Sequence, residues 1–243
     1  MILKRNIILA LLLSLAFIYS FSQDSLTRKK IYLIPGLGSD GRIYSKLHLE
    51  KCDTTIIEFV PIFKKETLEH YAKRLSVKID TTHAFYLIGV SLGGMCAVEM
   101  CKYLHPVKTI IISSSMTENE IPFRYKFERV IPLQKIFGGR FYKFMTNLLR
   151  PIVEPESKHD KQIFKAMVHD KDPKFMKRSI NCIVHWKNKK TPPNVVHIHG
   201  TRDHTLPYRR VKDPITVIGG SHMMTLVRAE EISKLINEEL NKK

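Results

Sequence analysis

A serine hydroxyl attacks a carbonyl only when an adjacent base removes its proton and an acid orients that base. Residues of the right types for all three roles occur in this 243-residue chain. Gly89-Val90-Ser91-Leu92-Gly93 follows an apolar run, Phe85–Val90, and opens a helical pattern. Backbone at such a strand-to-helix turn is tight, and large side chains two positions before or after the serine would clash. Gly89 and Gly93 remove those clashes, and Gly94 lets the helix pack closely. The Ser91 hydroxyl is then held above the strand end, where the helix N-terminus favours developing negative charge.

The base and the acid have counterparts at two later strand ends. The run Val195–His199 leads into Gly200-Thr201-Arg202-Asp203, and Ile215–Ile218 leads into Gly219-Gly220-Ser221-His222. Parallel strands bring their C-terminal ends to one edge of a sheet, where ligand sites of such sheets form. Asp203 and His222 can therefore converge on Ser91 although they lie 112 and 131 positions away. Of the eleven histidines, only His222 follows a late strand through a glycine turn. His197 and His199 lie on a strand, His204 adjoins the acid, and His169 and His185 fall in an insertion. Asp213 precedes the last strand, at the wrong end of the sheet.

The run Ile31–Ile34 leads into Pro35-Gly36-Leu37-Gly38-Ser39-Asp40-Gly41. Glycines let this loop approach a substrate carbonyl and aim a backbone N–H at it. Leu37 is the expected first oxyanion donor, and Leu92, the residue after the serine, is the second. A phosphate-binding P-loop is excluded because no Lys-Ser/Thr pair ends the loop.

Positioning these groups requires a covered parallel sheet. The runs Ile31–Ile34, Ile56–Val60, Phe85–Val90, Thr109–Ser113, Val195–His199 and Ile215–Ile218 are apolar nearly throughout, as strands buried on both faces are. Helical patterns alternate with them: Thr67–Ile79 with Thr67 as cap, Leu92–Leu104 stopped by His105-Pro106, and Ala229–Leu240. This alternation predicts a doubly wound α/β domain. Residues 115–194 break the rhythm. They hold no strand pattern, dense basic residues and an aromatic-methionine cluster (Phe137, Phe141, Tyr142, Phe144, Met145). Asp172-Pro173 starts a helix there. This stretch is expected to form a helical cap over the C-terminal edge of the sheet.

Composition bounds the remaining questions. Lys4 and Arg5, the apolar stretch Ile7–Ile18 and Ser20-Phe21-Ser22 read as a secretory signal peptide over residues 1–22, with the mature chain starting near Gln23. The protein is therefore expected outside the cytoplasm, periplasmic or secreted. Losing Lys4 and Arg5 lowers the formal charge from +17 to +15. That charge permits weak association with an anionic membrane surface, but no nucleic-acid motif accompanies it. Cys52, Cys96, Cys101 and Cys182 show no zinc spacing and read as small core residues. Cys96 and Cys101 point about 140° apart around one helix, which disfavours a bond between them. No cofactor or metal is called for.

Taken in order, Pro35-Gly36-Leu37-Gly38-Ser39-Asp40, Gly89-Val90-Ser91-Leu92-Gly93-Gly94, His199-Gly200-Thr201-Arg202-Asp203 and Gly220-Ser221-His222 resemble the small single-domain serine hydrolases of the α/β-hydrolase superfamily. The resemblance spans nearly all the mature chain. It implies Ser91 as nucleophile, His222 as base, Asp203 as acid, and backbone donors at Leu37 and Leu92. The chain departs from the family in two ways. The oxyanion loop begins Pro-Gly where many members have His-Gly, and too few residues precede Ile31 for the first antiparallel strands, so a minimal six-stranded sheet is expected. The expected activity is hydrolysis of a small-molecule carboxylic ester through an acyl-enzyme. The alternatives are an acyltransferase with the same triad and a non-catalytic ligand-binding protein of this fold.

Overall fold

The computed structural model describes residues 28–127, 138–148 and 158–242. The proposed signal segment and Phe137 lie outside them. Strands β1 (Lys29–Ile34), β2 (Cys52–Ile56), β3 (Phe85–Val90), β4 (Lys108–Ile112), β5 (Val195–Gly200) and β6 (Ile215–Val217) form one sheet in the order β2-β1-β3-β4-β5-β6. Every neighbouring pair is parallel. The described helices are α1 (Leu68–Ser76), α2 (Leu92–Met100), α3 (Phe123–Phe127), α4 (Gly139–Leu148), α5 (Lys158–Asp170), α6 (Pro173–Val184), α7 (Met224–Val227) and α8 (Ala229–Asn241).

Side chains alternate along each strand, so the apolar runs feed two cores. Tyr32, Ile34, Phe85, Leu87 and Ile111 pack with α1 and α2 on one face. Ile31, Leu33, Ile88, Val90, Ile110 and Ile112 pack with α7, α8 and a 3-10 turn, Gly41–Tyr44, on the other. Each large aliphatic side chain buried this way contributes about 1.5–3 kcal/mol. Helix α2 is buried on every side, which explains why its sequence shows no polar face.

Local capping sets the helix starts. The Thr67 hydroxyl accepts from the His70 N–H at 3.2 Å, and Asp172 Oδ1 accepts from the Lys174 N–H at 3.0 Å, with Pro173 in the first turn of α6. Helix α2 stops at Met100 and the chain turns through Cys101–Tyr103, before His105-Pro106 is reached.

The second strand differs from expectation. It spans Cys52–Ile56, not Ile56–Val60. It is the sheet edge, and Asp53, Thr54 and Thr55 are exposed. An edge strand needs little apolar sequence, whereas Ile57 and Ile62 are buried as loop residues above the strand end. Hydrophobicity there marks burial rather than strand.

Between β4 and β5 the described residues hold helices α3 to α6 and connecting loops, and no strand. Helix α5 adds Phe164, Met167 and Val168 to one core, and α6 adds Phe175 and Cys182 to the other. The insertion thus straddles the sheet. All four cysteines are free thiols, three of them buried.

Candidate active site

Ser91 stands between β3 and α2 with φ +52° and ψ −117°, a conformation that costs a non-glycine residue on the order of 1–3 kcal/mol. The surroundings hold it there. Its N–H donates to Ile112 O at 3.0 Å, and its carbonyl accepts from the Met95 N–H at 3.1 Å and from the Ser114 hydroxyl at 2.7 Å. A side chain at Gly89 would meet the Gly93 backbone at 2.5 Å, so the glycine is sterically required. Ser91 remains partly exposed at the rim.

The loops after β5 and β6 are stitched together. The Arg202 N–H donates to Gly220 O at 2.8 Å, the Thr201 N–H to Val217 O at 3.0 Å, and the Gly219 N–H to Thr201 Oγ1 at 2.8 Å. This seam brings Asp203 and His222 together: Asp203 Oδ2 lies 2.8 Å from His222 Nδ1, and His222 Nε2 lies 3.1 Å from Ser91 Oγ. A carboxylate oxygen only accepts, so Nδ1 carries the hydrogen and Nε2 presents a lone pair to the serine hydroxyl. Asp203 Oδ1 accepts from the Thr205 and Leu206 N–H groups, each at 2.8 Å. Burial pushes this carboxyl up, but the facing His222, then His199 and the Leu206 N–H, outweigh it and hold Asp203 below its usual range. It is therefore ionised near neutral pH.

Between β1 and the 3-10 turn, Gly36–Ser39 makes a closed turn. The Gly36 N–H donates to Ser39 Oγ at 2.8 Å, and the Ser39 N–H donates to Gly36 O at 3.1 Å. Leu37, partly buried, lies between those two engaged amides. Leu92 is the first residue of α2, and its N–H is one of those a helix leaves without an intrahelical acceptor. A Cβ at Gly36 would come within 3.2 Å of Ser91 Cβ, so a larger residue there would have to push Ser91 aside.

Gly36, Gly38 and Gly41 also match the G-x-G-x-x-G spacing of dinucleotide loops. The chain continues from them into the four-residue turn Gly41–Tyr44, not into a long helix whose N-terminus could hold a pyrophosphate.

The insertion reaches both loops. A Cβ at Gly38 would contact Val168 Cγ2 at 3.7 Å and Met176 Cε at 3.8 Å. Arg42 joins Asp40 in the loop to Asp170 at the end of α5, at 2.6 and 2.7 Å. From α3, the Arg124 guanidinium donates to the carbonyls of His204 and Thr205, beside the acid. No cluster of His, Cys, Asp and Glu suited to a metal occurs among the described residues.

The sequence thus located all three residues that meet in series. It did not find the buried His197 and His199 behind Asp203, which read as strand residues; their spacing two apart on a strand ending at the acid was the available signal.

A six-stranded parallel sheet carrying a serine at the β3–α2 turn, with acid and histidine at the ends of the last two strands, is the α/β-hydrolase fold. No family model and no curated protein matches the sequence itself. Solved structures do match. A thermophilic esterase from Thermogutta terrifontis aligns at a TM-score of 0.68 and 15% identity, over 88% of this chain and 90% of that one. MenH from S. aureus aligns at 0.67 and 15%, over 88% and 96%. A lipase-esterase related protein from Clostridium acetobutylicum aligns at 0.65 and 15%, over 88% and 95%. At such identities the likeness is one of fold.

Proposed function

We propose that the protein is a serine hydrolase that cleaves a carboxylic ester through an acyl-enzyme on Ser91. One observation carries this reading: the unbroken series Ser91 Oγ, His222, Asp203, at 3.1 and 2.8 Å, around a serine in strained backbone. His222 takes the Ser91 proton as Oγ attacks the carbonyl, and Asp203 stabilises the resulting imidazolium. The tetrahedral oxyanion rests on the N–H groups of Leu37 and Leu92. His222 returns the proton to the leaving alcohol, then activates water to release the acid. No cofactor or metal takes part. The esterases among the structural neighbours support the reaction class.

The direct test is labelling of the purified protein with a fluorophosphonate, followed by peptide mapping. Modification of Ser91 is expected. An unlabelled Ser91 in folded protein would favour the ligand-binding alternative, and transfer to added alcohols in preference to water would favour the acyltransferase.

The same proposal places the enzyme outside the cytoplasm after loss of residues 1–22. Mass spectrometry of secreted or periplasmic material should find an N-terminus near Gln23. A retained leader would make the segment an anchor instead. Small-molecule esters are its partners in this reading, nucleic acids are not, and its basic surface allows at most weak contact with anionic membranes.

A further inference from the structure

Two imidazoles that the proposed reaction does not use lie directly behind its acid. His199, on β5, and His197, two residues earlier on the same face, are both buried. His199 Nε2 lies 2.8 Å from Leu206 O and 3.5 Å from Asp203 Oδ2. Its Nδ1 lies 3.0 Å from His197 Nε2. These contacts fix the protons. A carbonyl only accepts, so His199 Nε2 carries a hydrogen; Nδ1 of the neutral ring is then a lone pair, and His197 Nε2 must donate to it. Among the described residues, His197 Nδ1 is left buried without a hydrogen-bond partner.

The wiring closes on the acid. Leu206 accepts from His199 through its carbonyl and donates through its N–H to Asp203 Oδ1 at 2.8 Å. We propose that His199, oriented by His197, is a positioning residue that pins the turn at residues 203–206 and so aims Asp203 Oδ2 at His222. The inference rests on the triad reading above.

The charged and titratable groups facing His199 are Asp203 and His222 on the loops beyond β5 and β6, His197 on its own strand, and the Tyr208 ring, 6.4 Å away between centroids. Burial keeps both histidines below the usual histidine range; His199 lowers His197 further, and His222 lowers His199 against the opposing pull of Asp203 and the Leu206 carbonyl. A neutral His199 is what the site needs. It contributes a dipole near Oδ2 without a charge that would compete with His222 for the carboxylate or repel the imidazolium formed during attack.

The test compares His199→Phe, which keeps a planar ring without hydrogen bonds, with His199→Gln, whose amide can donate to Leu206 O and accept from His197. His199→Phe is expected to lower kcat for an activated ester on the order of tenfold or more at nearly unchanged KM. The acid limb of its kcat/KM profile moves to lower pH, because a slackened carboxylate supports His222 less. The downfield proton resonance of the His222–Asp203 bond, read by NMR without substrate, weakens or shifts in parallel. His199→Gln restores all three. A His199→Phe protein with unchanged limb and resonance overturns the inference, and so does loss of function in both variants alike, which points to packing alone. If His199→Phe does not fold, His197→Phe removes the donor to Nδ1 and should show a smaller version of the same shifts; wild-type values there also overturn it. The NMR readout needs no turnover, so failure of the hydrolase reading would remain distinguishable.

Discussion

A methyl group placed on Gly93 would lie 2.1 Å from the carbonyl oxygen of Ile34, the last residue of β1. The first turn of α2 therefore rests on the start of the loop after β1 with no room for a Cβ. The same Ile34 carbonyl accepts from the Tyr44 hydroxyl at 2.6 Å, which fixes the loop from the opposite core. The Ser91 turn and the Gly36–Ser39 loop are thus one packed unit.

Gly93→Ala is accordingly expected to destabilise the fold by about 3 kcal/mol or more, since backbone rather than a flexible side chain must yield. Gly36→Ala, whose nearest contact is 3.2 Å, should be milder in stability while displacing Ser91. Urea unfolding of both variants checks the order; a more damaging Gly36→Ala would contradict it.

Ser91→Ala should leave the sheet and both cores intact, because the hydroxyl bonds His222 Nε2 at the strand ends and belongs to neither core. Activity on short p-nitrophenyl esters is expected to fall by on the order of 10³-fold or more, with an unchanged circular dichroism spectrum. Near-full activity would end the serine-hydrolase reading.

Asp203→Asn keeps the size of the acid but offers an amide N–H toward His222 Nδ1. The imidazole would then accept at Nδ1 and carry its hydrogen on Nε2, facing Ser91 with no lone pair. A drop in kcat on the order of 10³–10⁴-fold is expected, measurable with the same esters, and substrate affinity should change little.

Acid should weaken the protein earlier than its carboxylates alone would require. Burial, reinforced by His199, pushes His197 from 6.5 to about 3. Between those values the unfolded chain binds a proton that the native chain does not. Stability therefore falls as pH drops through that window, with a full slope of about 1.4 kcal/mol per pH unit for one such group. His199 acts in the same direction. Asp203 acts lower: its contribution is complete above 3.8 and is lost as pH falls through its depressed native value. Denaturant unfolding between pH 7 and pH 4 should show the loss, and His197→Gln should flatten it. An equally steep curve in that variant would assign the protons elsewhere.

What the residues reveal before folding depends on how local the cause is. The Ser91 turn was legible because two glycines and a strand-helix boundary fall within five positions, and Asp203 and His222 because each ends an apolar run. The edge strand β2 was misplaced because Ile57 is buried by tertiary packing while the exposed Asp53, Thr54 and Thr55 join the sheet with no apolar side chain to mark them. The end of α2 was overshot for the same kind of reason: Tyr103 and Leu104 pack on the core from a turn, and their spacing imitates a helix. His197 and His199 were set aside as strand residues, because a histidine on an apolar strand looks like filler until the turn at 203–206 is seen folding back over it. The proposed cap is legible only where α5 and α6 meet the two cores.

A sheet whose strands are all parallel has no hairpin from which to begin, and each of its pairings encloses a crossover. Ser91 and His222 are separated by 131 positions and meet only when the last strand, three residues long, has docked on the edge. Chains of such high contact order gain their long-range pairings late. During renaturation, helical signal should therefore return well before any competence for turnover.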